Sequence, residues 1–378
     1  MTWPQAVAWR VGRQLLARRQ GTAVDVARQV AGVQAQVMSS AELAIGTRTG
    51  QPPERVRTAL WADRSLVKTW AMRGTLHLFA ADDLPTWVAA LRRKEQAARR
   101  GAAWERYHGI TVAQLDVTTA AVAEVLDATP MTRQELGEGV AEVSGDASLA
   151  EVVRTAFGGT ILKVAAANGD LCFAPDRGRN VTFVNPRTWL AGDWSEPDAE
   201  TATAVVARRF FDAYGPATAD DFARWWGVSA AEGKRLLRPL AGELVTVDVD
   251  GEAALLTPAG ADDIAGAVAR RGHVRLLPAF DTYVLAPRSH RRHTWPEGLH
   301  ARISRPAGWI TPVLLVDGGI AGVWGHARRG GSVHLDVEAF APLPRATRAA
   351  VETEAKTYEA LLGAPVEVAW VDRLPSAT

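Results

Sequence analysis

Two glutamines, Gln34 and Gln36, stand one residue apart in Gly32-Val33-Gln34-Ala35-Gln36-Val37. A primary amide offers a carbonyl acceptor and two N–H donors and never carries charge. Two of them at i and i+2 can grip one water or one ring system from two directions, provided the backbone is not helical. In a continuous helix those positions point apart. The carbonyl dipoles of such a pair can also offset positive charge developing on a bound group. The glutamines close a stretch, Val24 to Ala31, whose apolar residues recur at helical spacing, so they fall where a helix gives way to a turn.

The elements around them repeat in kind. Three times the chain runs through helices and then a β-prone pair. The first pass has an amphipathic stretch over Ala6 to Arg18, a helix over Val24 to Ala31 capped by Thr22, and a third from Pro53 to Trp61. Leu66 to Trp70 and Thr75 to Phe79 then alternate about Met72-Arg73-Gly74. The second pass predicts helices over Ala113 to Leu126, Thr132 to Glu142 and Leu149 to Phe157, closed by strands at Leu171 to Ala174 and Val181 to Val184. The third predicts Ala202 to Tyr214, Thr218 to Trp226 and Ala230 to Leu240, then strands at Leu244 to Val249 and Ala253 to Thr257 across Asp250-Gly251. Three helices and a hairpin make a winged helix. From about His273 the chain is β-rich, with a hairpin across Asp317-Gly318-Gly319 and a helix between Pro344 and Leu362. The predicted fold is mainly α with β (α+β): winged-helix modules over 1–110, 111–195 and 196–270, and a C-terminal α+β domain over 271–378.

Composition narrows the class. The chain has 378 residues, 47% of them hydrophobic, enough for two or more cores. No run is long enough to span a membrane, and Met1-Thr2-Trp3-Pro4 does not open a signal peptide. Cys172 is the single cysteine, and none of the eight histidines has a close metal-ligand spacing. A cytoplasmic protein without metal or cofactor is expected. The net charge of +1 hides an asymmetry: residues 1–110 carry 17 Lys and Arg against 8 Asp and Glu, 111–270 carry 13 against 24, and 271–378 carry 13 against 10. A basic part beside an acidic one suits a polyanion held on one side.

Three strings resemble a known family. Val33-Gln34-Ala35-Gln36, Leu66-Val67-Lys68-Thr69-Trp70-Ala71-Met72-Arg73-Gly74-Thr75-Leu76-His77 and Leu277-Pro278-Ala279-Phe280-Asp281-Thr282-Tyr283-Val284-Leu285 occur in the order found in the AlkZ-like bacterial DNA glycosylases, as does Gly308-Trp309 through Val316-Asp317-Gly318. The resemblance spans essentially the whole chain. It implies tandem winged helices and a C-terminal β domain arranged as a C-shaped clamp on double-stranded alkylated DNA. It also implies excision of bulky N7-alkylguanines and, in some members, unhooking of interstrand crosslinks. A Gln-aliphatic-Gln motif marks the branch associated with antibiotic self-resistance, which places Gln34 and Gln36 on the catalytic positions. A monomer associated with the nucleoid is the matching expectation.

Further residues have chemistry suited to DNA. Arg92-Arg93-Lys94 with Arg99-Arg100 form a basic run on a predicted helix and suit phosphates, or simply a solvated face. Arg73 and His77 lie in the most specific string, where a cleft role competes with structural hydrogen bonding. The segment Arg302 to Ile310 reads as strand, turn, strand, with Arg302 and Arg305 for phosphates and Trp309 as a wedge at a base step or as a core residue. Asp281 and Tyr283 read as structural, and His290 to His293 as a polar loop. Two other classes compete: a non-catalytic winged-helix regulator, which has no need of Gln-Ala-Gln, and a resistance protein that sequesters an alkylating drug.

Overall fold

The computed structural model describes residues 1–98, 100–155, 159–269, 271–285 and 287–374; Phe157 and Arg99 lie outside the described residues. The chain divides into two compact units, one built from residues 1–57 and 207–378, the other from 58–206. The first of the expected segments is therefore split after Arg57.

The first unit opens with α1 (Trp3–Arg13) and α2 (Ala23–Gln29). Thr2 and Thr22 cap them through reciprocal bonds with Gln5 and Asp25, which satisfy the orphan N–H groups of each first turn. A two-residue strand, β1 (Val33–Gln34), precedes α3 (Met38–Thr49), and α4 (Pro53–Trp61) carries the chain into the second unit. The sequence pattern did not announce α3. Its residues from Ser40 to Arg48 are all buried, so it has no polar stripe to betray its period.

The second unit holds the antiparallel hairpin β2 (Leu66–Trp70) and β3 (Leu76–Ala80), followed by α5 (Leu84–Gln96), α6 (Ala102–His108) and α7 (Val112–Val125). Next come β4 (Met131–Thr132), α8 (Arg133–Ser144), α9 (Ser148–Thr155), α10 (Thr160–Asn168), β5 (Cys172–Arg177) and β6 (Asn180–Val184). Those three strands form a sheet in the order β4-β6-β5. Leu136, Val140, Leu162 and Phe183 are fully buried at the centre of this core. The unit closes with α11 (Pro186–Trp189), and α12 (Ala199–Tyr214) returns the chain to the first unit.

There α13 (Ala219–Trp226) and α14 (Ala230–Leu237) precede the hairpin β7 (Val245–Val249) and β8 (Glu252–Leu256), whose turn puts Asp250 and Gly251 at φ 50° and 86°. Helix α15 (Pro258–Ile264) comes next, and Ile264, Val249 and Leu256 bury Trp3, Ala6 and Trp9 of α1. The last strands and helices are β9 (Val274–Leu277), α16 (Arg288–Thr294), α17 (His300–Ile303), β10 (Val313–Val316), β11 (Gly319–Arg329), β12 (Ser332–Ala339), α18 (Arg345–Lys356), α19 (Tyr358–Leu362) and β13 (Val366–Trp370). They build a five-stranded sheet in the order β13-β12-β11-β10-β9, antiparallel except for β12 beside β13. A parallel pair needs a crossover, which α18 and α19 supply. Leu43 of α3 enters the core between this sheet and α18, so the segment just after the glutamines is seated on the C-terminal sheet.

Two expectations change here. Arg302 to Ile310 is not strand, turn, strand: Arg302 lies within α17, which ends at Ile303, and an isolated antiparallel bridge joins Ser304 to Ile310 around a 3-10 turn at Pro306–Gly308. Residues 290–293 are not a loop but lie in α16, with His290 in the interior.

Candidate active site

Helix α2 ends in a way that decides the geometry of the glutamines. The Gly32 N–H donates to the Ala27 carbonyl at 2.8 Å and the Ala31 N–H to that of Arg28 at 3.3 Å, the paired bonds of a Schellman motif. Its left-handed position is occupied by Ala31 at φ 55°, and Gly32 comes after it at φ 97°. Alanine there is strained, and such strain persists only where the surroundings enforce it. One enforcing contact is clear: the buried Tyr214 hydroxyl donates to the Val30 carbonyl at 2.9 Å. The helix is thus unwound, and Val33 to Val37 runs in non-helical conformation. The condition for two amides at i and i+2 to serve one ligand is met.

Their environments differ. Val33, Gln34 and Ala35 are buried, whereas Gln36 is exposed. Gln34 is 7% exposed, and its Oε1 is buried with no hydrogen-bond partner among the described residues. A buried carbonyl left unmatched costs about 1–3 kcal/mol, so a structural role gives no reason to keep it. It is an open acceptor two residues before an amide that solvent reaches.

The segment after the motif is anchored by buried charge. Arg48, at the end of α3, makes a two-pronged ion pair with Asp281 at 2.7 and 2.9 Å, with side chains 1% and 0% exposed. Its Nε donates to the Gln14 carbonyl at 2.8 Å. Arg10 of α1 donates to Nδ1 of His290 at 2.9 Å and to the Tyr283 carbonyl. The opposite nitrogen of His290 donates to the Pro216 carbonyl at 2.5 Å. Burial, with Arg10 adding to it, pushes the His290 pKa down to about 3. Asp281 and Tyr283 are interior residues that lock α1 and α3 to the C-terminal sheet.

The other candidates divide between the cleft and the framework. Trp309 is 40% exposed, with its ring edge-on to Phe280 at 4.9 Å between centroids. It borders a cleft of about 690 Å³ whose wall begins at Val37, directly after Gln36. Arg305 is half-buried in the same turn. Arg302 is committed to an ion pair with Glu338, so it is a strut rather than a free phosphate ligand. In the second unit, Arg92 holds Glu196 at 2.7 and 3.1 Å and is likewise tied into the fold, while Arg93 is half-buried and donates to the Ala199 carbonyl at 3.3 Å. Arg73 is exposed at φ 56° in the turn between β2 and β3. His77 is 4% exposed and its Nδ1 lies 3.0 Å from the Thr75 carbonyl. Burial first, then Arg73 and Lys94, drives its pKa to about 3 against the pull of that carbonyl. Burial thus favours its neutral form, which suits an interior residue better than a cationic phosphate contact.

One feature escaped the sequence reading. The outer half of the β11–β12 hairpin, from His326 to Gly331, is exposed at every residue and carries Arg328 and Arg329. The signal for it was the dipeptide Arg328-Arg329 before Gly330-Gly331 at the end of an alternating run. Among the described residues, no group of three or more His, Cys, Asp and Glu is placed to hold a metal ion, and no helix is long and apolar enough to cross a membrane.

Comparison with known proteins converges on one assignment. The family model described as DNA glycosylase AlkZ-like matches residues 27–361. An interstrand DNA cross-link repair glycosylase of Streptomyces sahachiroi is 36% identical over 328 residues, which cover 85% of this chain and 87% of that protein. The solved structure of Streptomyces sahachiroi DNA glycosylase AlkZ aligns at a TM-score of 0.88 and 35% identity, over 98% of this chain and all of that one. The chain is a DNA glycosylase and belongs to the AlkZ-like family.

Proposed function

We propose that this glycosylase hydrolyses the N-glycosidic bond of bulky N7-alkylguanines, crosslinked guanines included, with Gln34 and Gln36 as its catalytic residues. It acts as a monofunctional, monomeric enzyme on double-stranded DNA of the nucleoid, in repair of or resistance to alkylating natural products. The observation that carries the reading is the buried Oε1 of Gln34, without a partner among the described residues, two positions from the exposed Gln36 on a backbone unwound at a strained helix end.

The chemistry needs little else. An ordinary base departs as an anion and needs a proton or equivalent stabilisation. Guanine alkylated at N7 is already cationic: when the C1′–N9 bond breaks, its electron pair passes to the ring and the base leaves neutral. Water forms the new bond to C1′ and releases its proton to solvent. The enzyme must hold that water and offset positive charge on the deoxyribose, and preorganised carbonyl dipoles do both. Gln36, open to solvent, positions the water, and Gln34 orients the water and the sugar. The crosslink specificity named for the Streptomyces relative fits this view, because a base tied to both strands cannot be swung into a closed pocket.

The test is release of 7-methylguanine from alkylated duplex DNA. Gln36→Ala loses release, whereas Gln36→Asp and Gln36→Glu retain much of it, since a carboxylate also holds water and stabilises a cationic sugar more strongly. Full activity in the double Gln34→Ala, Gln36→Ala protein overturns the assignment. A protein that yields no free base from any N7-alkylated duplex is a binder or regulator instead.

A further inference from the structure

We propose that Tyr214 is a positioning residue of the reaction: its hydroxyl, by holding the Val30 carbonyl, stops α2 from winding on into the catalytic segment and so sets Gln34 and Gln36 for one ligand. This inference rests on Gln34 and Gln36 being the catalytic pair. The two amides can serve one ligand only while the chain after Val30 stays out of helix. Two features of that helix end weaken the stop. Ala31 occupies the left-handed position at φ 55°, where glycine is the usual residue because a Cβ is strained there. The Ala31 N–H reaches the Arg28 carbonyl at 3.3 Å, beyond the usual length of such a bond. Val30 itself is fully buried, so its carbonyl needs a donor. In a helix carried one turn further, that donor is the N–H of Gln34, four positions on. The Tyr214 hydroxyl, at 2.9 Å, takes its place. The bond therefore removes what a continued helix would gain, and it does so at the residue whose amide the reaction uses.

Tyr214 is itself held firmly. Its side chain is buried, and its ring stacks on Phe210 at 5.4 Å between centroids. It ends α12, and α1 grips the carbonyls just before it. Arg13 donates to the Asp212 carbonyl at 2.9 Å, and Gln14 to that of Ala213 at 2.7 Å. Burial pushes the phenol pKa up to about 12, so the hydroxyl keeps the proton it donates at neutral pH. The donor is thus fixed before DNA arrives. A reactive pair keeps its productive geometry only when the residues behind it are locked in this way.

The experiment compares the unaltered full-length protein with Tyr214→Phe, Ala31→Gly and the double variant. Phenylalanine keeps the ring and its packing and removes only the donor. Glycine at position 31 removes the left-handed strain and also weakens a continued helix. Three quantities are read: the single-turnover rate of 7-methylguanine release at saturating protein, the Kd for the alkylated duplex, and the urea midpoint. Tyr214→Phe slows release about tenfold, the shift expected when a buried carbonyl loses its donor, while Kd changes less than about twofold. In the Ala31→Gly background the same change costs about threefold or less, because the turn no longer needs the tether. A residue that serves stability alone leaves the rate of the folded protein unchanged and gains nothing from glycine at position 31. The proposal is overturned by a Tyr214→Phe rate within about threefold of the original, or by a loss carried wholly in Kd. An undiminished loss in the Ala31→Gly background overturns it too, as does a Tyr214→Phe protein that is unfolded at the assay temperature. Full release by the double Gln34→Ala, Gln36→Ala protein means that the catalytic reading has failed first. Loss of release there, with an unchanged Tyr214→Phe rate, means that this inference alone has failed.

Discussion

Replacing Gln34 by methionine separates a catalytic amide from a structural one more cleanly than truncation does. Methionine keeps the length and flexibility of glutamine and suits a buried site, so packing is largely conserved. The side chain is 7% exposed, and its carbonyl oxygen is buried without a partner among the described residues. Removing that oxygen removes a desolvation cost of about 1–3 kcal/mol, so Gln34→Met folds with equal or greater stability. Catalysis moves the other way. Loss of one preorganised dipole at a site of developing charge costs about a hundred- to a thousandfold in rate, or ~2.7–4 kcal/mol of transition-state stabilisation. Urea unfolding gives the stability, and single-turnover release of 7-methylguanine gives the rate. A variant that is at least as stable and at least a hundredfold slower establishes the role. A variant that releases base at the original rate, or that loses rate only in proportion to lost stability, refutes the reasoning.

Three more outcomes are expected. Asp281→Ala leaves the buried Arg48 guanidinium unpaired and destabilises the protein by about 3–5 kcal/mol in urea unfolding, and Arg48→Met with Asp281→Leu recovers at least half of the loss; a single-variant cost below about 1 kcal/mol would contradict the buried pair. His77 and His290 are held neutral in the fold with pKa values near 3, below the ordinary histidine value of about 6.5, so the unfolded chain binds more protons between those limits. Stability therefore falls as pH drops from about 6.5 towards 3, by up to ~1.4 kcal/mol per pH unit for each histidine, and His77→Gln flattens the urea midpoints measured across that window. Arg93→Ala lowers the salt slope of DNA binding by about 0.9 if its guanidinium meets a phosphate, and an unchanged slope removes it from the interface.

How far the sequence was legible depends on whether a local rule met a local cause. Asp250-Gly251 and Asp317-Gly318 named their hairpins because only such residues enter the left-handed turn region without much strain, and Thr22 named a helix start because its hydroxyl caps the first turn of α2. Helix α3 stayed hidden because burial on all sides erases periodicity, and its two charged residues, Glu42 and Arg48, are buried only because Arg57 and Asp281 pair with them. Arg302 misled in the same way, since the carboxylate that captures it lies 36 positions along the chain. The glutamines stood out through the family resemblance, since two amides at a helix end are by themselves as consistent with surface as with a site. That one is buried and the other exposed was not legible, because burial is decided by tertiary packing rather than by the local sequence.

The carboxylates on either side of the glutamines sharpen the link between catalyst and substrate. Asp25 is spent on capping α2: the Thr22 backbone N–H and hydroxyl hold its carboxyl below the usual range, which makes it a poor proton donor near neutral pH. Glu42 is spent on Arg57 in the wall of the cleft. The motif itself presents only neutral groups, which can hold a water and stabilise a cationic sugar but cannot deliver a full proton to a departing base. A site of this kind has little rate to offer an unmodified purine, whose departure requires protonation. On the proposed reading it has enough for a guanine whose alkylation already supplies the charge, and selectivity for damage then follows from the proton donor that the two glutamines lack. Adding a carboxylate at Gln36 then carries a specific risk: the gain in sugar stabilisation comes with new capacity for general catalysis. Gln36→Glu is accordingly expected to discriminate less well between alkylated and intact DNA than the protein that bears glutamine there.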